Sequence, residues 1–291
     1  MYAPLRHARG ESIELRRRRY QVWHWGDASA PLLVLLHGWM DCGMSFQFMV
    51  DQLRQDWHVI APDWRGFGQS QWNGDSYWFP DYLADLDALL AHYSPVAPAN
   101  LLGHSMGGIV ACLYAGICPE RVRRLVSVEG FGLPATEPGQ AVGRLRKWLG
   151  ELREQPGFGE HAGFEVIATR LMRNNKRLSQ GKADFLACYM AAEASPGLVR
   201  YTADPLHKMV NPVLYRLEEA KAIWREVTAP TLWIQGDDDW LASWLKEDGG
   251  AMAERTACFR DFRLETITDA GHMLHHDQPL ALASLIEPFL V

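Results

Sequence analysis

Cysteine is scarce in this sequence and shows no organisation: the five residues Cys42, Cys112, Cys118, Cys188 and Cys258 are odd in number and lack Cys-x-x-Cys spacing. Neither a disulfide framework nor a paired-ligand zinc site is therefore expected, and a reducing, cytoplasmic setting fits best. Long apolar runs are missing too. A run such as Leu32–Leu36 is far too short to cross a bilayer, and the first twenty residues mix Arg, His and Glu without an apolar centre. Neither membrane insertion nor a secretion signal is expected. Positive charge is not in excess, since the net charge is −6 and the pI about 6.0, so the basic footprint of a nucleic-acid binder is absent. The one basic run, Arg16–Arg19, sits between two short alternating segments and reads as a solvated hairpin. No repeat, low-complexity stretch, phosphate-binding glycine loop or ligand-spaced His/Cys/carboxylate cluster is visible, so no metal and no organic cofactor are expected.

What is present is the composition of an ordinary globular protein, 48% hydrophobic and 22% charged over 291 residues, enough for one large domain or one domain with an insertion. Short β-rich runs alternate with helical patterns, which predicts βαβ units and a mostly parallel sheet with helices on both faces. Ile13–Leu15 and Tyr20–Trp25 read as an antiparallel opening hairpin. Strands are expected at Leu32–Leu36, His58–Ala61, Leu101–Leu102, Leu125–Val128, Thr231–Ile234 and Arg263–Ile267; apolar residues at nearly every position suit central strands. Helices are expected near Met44–Arg54, Pro80–His92, Met106–Cys118, Leu241–Glu254 and Pro279–Phe289. The stretch 133–228 breaks this rhythm with helical patterns and no convincing strand. It reads as an inserted helical subdomain between core segments 1–132 and 229–291, bordered by Gly132–Pro134 and Ala229–Pro230.

The chemistry concentrates at Leu101-Leu102-Gly103-His104-Ser105-Met106-Gly107-Gly108, an apolar strand running into a Gly-x-Ser-x-Gly turn and then a helix. Such a turn strains the serine backbone and lifts its hydroxyl above the sheet edge at a helix N-terminus, where N–H groups favour developing negative charge. A serine hydroxyl at neutral pH needs a base within hydrogen-bond reach. His272, in Ala270-Gly271-His272 directly after the last strand, is the expected base, while His275 and His276 read as packing or supporting residues. An oxyanion also needs two donors. The backbone N–H of Met106 is expected as one, and that of Trp39, in His37-Gly38-Trp39-Met40, as the other.

With these motifs and Asp63-Trp64-Arg65-Gly66-Phe67-Gly68-Gln69-Ser70, the chain resembles the α/β-hydrolase superfamily, of the cap-bearing kind. The resemblance covers nearly all of residues 11–291 outside the cap. It implies the α/β-hydrolase fold and a purely structural role for Asp63 and Arg65. It also implies a triad acid in one of two places. The family's Gly-x-x-Asp pattern selects Asp239 in Gly236-Asp237-Asp238-Asp239, with Asp237 and Asp238 as neighbouring alternatives, whereas the minority arrangement would use Glu129 after Leu125–Val128. Serine at position 105, where epoxide hydrolases and haloalkane dehalogenases carry aspartate, disfavours alkyl-ester chemistry. The expected partner is a small-molecule substrate, by default a small to medium, largely apolar ester. Thioester, amide or carbon–carbon bond cleavage, acyl transfer, and a non-catalytic ligand-binding role stay open, and oligomeric state is not legible. The candidate residues for an apolar roof are Phe131, Leu133, Trp148, Phe164, Phe185, Tyr189 and Met190, and no clustered basic site stands out beside them.

Overall fold

The computed structural model describes residues 2–238, 240–245 and 249–291. Eight strands form one sheet: β1 (Arg9–Leu15), β2 (Arg18–Trp25), β3 (Leu32–Leu36), β4 (His58–Pro62), β5 (Ala99–His104), β6 (Val122–Val128), β10 (Thr231–Gly236) and β11 (Phe262–Ile267). Their order is β1-β2-β4-β3-β5-β6-β10-β11. The β1–β2 and β2–β4 pairs are antiparallel, and every pair from β4 to β11 is parallel. The opening hairpin turns through Arg16 and Arg17 with φ of 48° and 63°, the left-handed pair that a two-residue turn between twisted strands demands. The run Arg16–Arg19 is not wholly solvated. Arg16 reaches Asp81 and Asp85, each at 2.9 Å.

Side chains of successive strand residues point to opposite faces, so β3 divides cleanly. Val34 and Leu36 enter one core layer, with Leu86 and Leu90 of α2 (Pro80–Tyr93) and Val110 and Tyr114 of α3 (Met106–Ile117). Leu33 and Leu35 enter the other, with Phe48 and Val50 of α1 (Gln47–Val50) and Leu282 and Ile286 of α11 (Pro279–Leu290). The helix expected over Met44–Arg54 shrinks to α1. Gly43 passes so close to β4 that a Cβ would stand 2.7 Å from Ala61 O, and its N–H is taken by Asp63 at 2.7 Å, so the chain is tied to loops there.

Between β6 and β10 lie α4 (Ala141–Arg153), β7 (His161–Ala162), α5 (Phe164–Asn174), α6 (Gln180–Met190), β8 (Ala191–Ser195), β9 (Leu198–Tyr201) and α7 (Leu217–Trp224). Strands β7, β9 and β8 form a small antiparallel sheet where only helices were expected. Ala and Glu in β8 disguise it, and the Pro196-Gly197 turn, with Gly197 at φ 78°, closes the hairpin. Helix α7 does not sit with this group. Its Ala220 and Trp224 join the layer of α3, and Gly116 admits it so closely that a Cβ would meet Ile223 O at 2.1 Å. α7 is thus the crossover helix linking the neighbouring parallel strands β6 and β10. The helix expected at Leu241–Glu254 corresponds to α8 (Trp240–Leu245) and α9 (Gly249–Thr256), and α10 (Leu274–Asp277) precedes α11. Among the described residues no helix is long and apolar enough to cross a membrane.

Candidate active site

Ser105 links β5 to α3 with φ 51° and ψ −116°, a backbone state that a non-glycine residue holds only when its surroundings impose it. The imposition is visible. Its N–H donates to Val128 O at 2.8 Å, and a Cβ on Gly107 would stand 2.0 Å from Leu36 O. Strand and helix therefore meet at a spacing that only glycine permits, and the Ser105 hydroxyl stands clear at the start of α3.

His272 lies in the loop after β11, with its Nε2 3.1 Å from Ser105 Oγ. The loop is held from several sides. Asp237 accepts the N–H groups of Asp269 and Ala270 at 3.0 and 3.2 Å, Asp277 accepts that of Gly271 at 3.0 Å, and His104 Nε2 donates to His272 O at 2.7 Å. Burial holds the His272 imidazole down to a pKa of about 4, with Asp238 and Asp41 pulling the other way. The ring is thus neutral at pH 7 and able to accept a hydroxyl proton.

Glu129, the alternative acid, follows β6 at φ 52°. Its Oε2 lies 3.4 Å from His272 Nδ1, and its Oε1 accepts Gly236 N–H at 2.8 Å. Burial pushes this carboxyl up to about 7, against the pull of the Gly236 N–H. Of the aspartates after β10, Asp237 clamps the His272 loop and Asp238 lies 3.6 Å from Arg177. Asp239 lies outside the described residues.

The loop after β3 runs over the serine. His37 staples it: the ring accepts Trp64 N–H at Nε2 (2.8 Å) and donates from Nδ1 to Gly38 O (2.7 Å). A Cβ on Gly38 would stand 3.2 Å from the Ser105 Cβ, so Gly38 and Trp39 pass directly beside it. Met106 opens α3 on the other side. The Asp63–Ser70 segment acts as scaffolding: Asp63 accepts N–H groups from Gly43 and Gln69, and Arg65 pairs with Asp85.

Residues 31–279 match the profile of the alpha/beta hydrolase fold family. The chain belongs to that family. A serine hydrolase-like protein of Danio rerio is 26% identical over 279 residues, covering 91% of this chain and 83% of that protein. Epoxide hydrolase 4 of Mus musculus is 25% identical over 290 residues, covering 91% of this chain and 74% of its own length. A thioesterase domain from the curacin biosynthetic pathway superposes with a TM-score of 0.86 at 25% identity, covering 96% of this chain and 99% of the domain.

In this alpha/beta hydrolase, Ser105 and His272 line a cavity of about 240 Å³. Trp39 borders it and also a neighbouring cavity of about 320 Å³ that Met106 lines. Of the expected roof residues, Trp148 and Met190 line cavities beside Ser105, and Leu133 lines a more distant apolar one. Phe131 instead packs on Trp233 and Phe185 on Phe48, inside the core layers. Beneath the pocket is a polar floor, of which sequence reading expected His275 and His276 as packing or supporting residues but missed His104 and Asp41. His104, His275 and His276 are buried, and Asp41 accepts Cys42 N–H at 2.9 Å and Ser45 O–H at 2.8 Å. Asp41, His275 and His276 hold metal-type ligand atoms within 4.8 Å of one another. Because both Asp41 oxygens already accept hydrogen bonds, the trio is read as floor packing. The available signals were Asp41's place four residues after His37 and His104's place inside the serine motif.

Proposed function

We propose that this hydrolase cleaves carboxylic esters or thioesters through an acyl-enzyme on Ser105. The observation that carries the reading is a strained, projecting serine hydroxyl 3.1 Å from a buried, neutral imidazole nitrogen. Ser105 Oγ attacks the acyl carbon while His272 Nε2 takes its proton. The oxyanion so formed is received by the backbone N–H groups of Met106 and Trp39. As the tetrahedral adduct collapses, His272 returns the proton to the departing oxygen or sulfur. Water, deprotonated by the same imidazole, then releases the acid. Serine rather than aspartate at position 105 argues against the alkyl-enzyme route of epoxide opening, despite the epoxide hydrolase relative.

The orienting acid in this reading is Asp239. Asp237 clamps the His272 loop and Asp238 lies 3.6 Å from Arg177, and the Gly-x-x-Asp pattern selects Asp239. The 3.4 Å contact of Glu129 with His272 Nδ1 favours Glu129 as the second reading. The part of 133–228 ahead of α7 acts as the cap over the pocket, and the free state of all five cysteines supports a reducing, cytoplasmic setting. A fluorophosphonate probe should label Ser105 stoichiometrically, and Ser105→Ala should lose the label and about 10⁶ in turnover. Stoichiometric labelling at another residue would overturn the assignment.

A further inference from the structure

Two limbs of the pocket leave Ser105, and they differ in charge. On the Met106 side the cavity is walled by Trp39, Tyr77, Phe79 and Trp148 and carries no Asp, Glu, Lys or Arg. The serine cavity, which His272 lines, shares Trp39, Met40, Asp41, Leu171, Asn174 and Met190 with a further cavity of about 390 Å³, whose wall holds Arg170, Arg173 and Lys208. Three cations on one wall are unexpected in a chain of net charge −6. Arg170 and Lys208 meet neutral groups: Arg170 Nη1 lies 3.3 Å from His161 Nε2, and Lys208 donates to Gly157 O at 3.0 Å while covering the Phe158 ring at 3.7 Å. Among the described residues, no ion pair within 4.0 Å takes up any of the three charges, although other arginines of the region, such as Arg177, do find carboxylates. The one carboxylate on that wall, Asp41, is occupied by Cys42 N–H and Ser45 O–H.

The direction of proton return assigns the limbs. The imidazole that deprotonates Ser105 must hand the proton to the leaving atom, so the leaving group departs on the His272 side. We infer that the Arg170–Arg173–Lys208 limb binds an anionic group, phosphate or carboxylate, on the leaving-group arm of the substrate, while the acyl arm occupies the apolar limb by Trp148. This assignment rests on the acyl-enzyme reading above. It makes the substrate an apolar acyl ester or thioester of an anionic alcohol or thiol. Arg170 and Arg173 lie three residues apart on α5, where helical geometry sets them side by side.

The test compares hexanoyl thioesters of N-acetylcysteamine (neutral), 3-mercaptopropionate (carboxylate) and 3-mercaptopropyl phosphate. Two solvent-touched ion pairs amount to about tenfold, so kcat/KM for at least one anionic thioester should exceed that of the neutral one by about that factor at low salt. The excess should shrink as salt rises, because the contacts are partly wet. Arg170→Gln/Arg173→Gln should bring the anionic-to-neutral ratio close to one, and Arg173→Glu should push it lower still. Whichever of phosphate and carboxylate gives the larger ratio identifies the handle. A wild-type ratio of one, or a ratio that the double variant leaves unchanged, overturns the inference. Failure of the acyl-enzyme reading is separately visible, as absent fluorophosphonate labelling of Ser105. In that event equilibrium binding still tests the site: 3-mercaptopropyl phosphate should bind the wild type about tenfold tighter than the double variant, and equal affinities overturn the site.

Discussion

The floor of the pocket, at the carboxyl ends of β5, β6, β10 and β11, is buried and hydrogen-bonded, whereas the helix α4 above it buries no side chain and leaves Val142 59% and Leu149 47% exposed. The floor holds Ser105 and Glu129 in left-handed backbone states and His272 by hydrogen bonds to its loop from Asp237, Asp277 and His104. The roof holds Trp148 and the α5 arginines by packing of short helices over a cavity. Positions enforced by a sheet tolerate little change, while positions on a lightly buried helix tolerate much. In the proposed function, chemistry falls on the first and selectivity on the second.

The sharpest probe is to neutralise the two candidate orienting carboxylates in turn. Asp239→Asn should lower kcat by about 10⁴, the loss expected when the orienting anion of a triad is neutralised in place, whereas Glu129→Gln should cost less than about tenfold. Steady-state kinetics on one ester decides it. If the two effects exchange places, the acid belongs to β6.

Acid should reach the floor next. His37 and His104 are buried and held down to pKa values of about 4 and about 3 by desolvation, against an ordinary 6.5. Because the folded values are lowered, the unfolded chain binds more protons between these limits. The stabilising contribution is complete above pH 6.5 and is lost as pH falls toward 4. Each histidine then costs up to about 1.4 kcal/mol per pH unit. Unfolding free energies from urea titrations at pH 7 and pH 5 should differ by about 4 kcal/mol from this pair. An unchanged free energy would mean that these rings are solvated.

The smallest contrast compares glycines. Gly107→Ala forces a Cβ to within 2.0 Å of Leu36 O, and should destabilise by about 2–3 kcal/mol. Gly143→Ala, on the exposed face of α4 with nothing within 4 Å of the added Cβ, should stabilise by about 0.5–1 kcal/mol. Equal effects would show that the roof is as constrained as the floor.

The same division explains what the sequence could disclose. Ser105, His272 and the parallel strands were legible because a strand-to-helix turn and an apolar run are local facts about consecutive residues. Glu129 entered only as a rival acid, since its approach to His272 depends on how β6 lies beside β10. The short sheet of β7, β8 and β9 was hidden by helix-favouring Ala and Glu in β8. The basic wall was invisible for a different reason. Arg170 and Arg173 stand in one helix and Lys208 in a distant segment, and no periodicity says that these face one cavity. Conversely, Phe131 and Phe185 looked like roof and belong to the core, because an aromatic carries no sign of which surface it will meet.

The position of α7 has a consequence for how this enzyme can change over time. A strand, a crossover helix and the next parallel strand are already complete in β6, α7 and β10, so the sheet makes no topological demand on the residues from Leu133 to Arg216. Arg255, donating to Phe131 O and Leu133 O at 2.9 Å each, pins the point where that excursion departs. The excursion behaves as a cassette on a fixed socket. Changes within it can redirect what is recognised provided they keep the points where it grips the sheet domain, such as Phe185 on Phe48 and Asn175 donating to Asp277 at 2.6 Å.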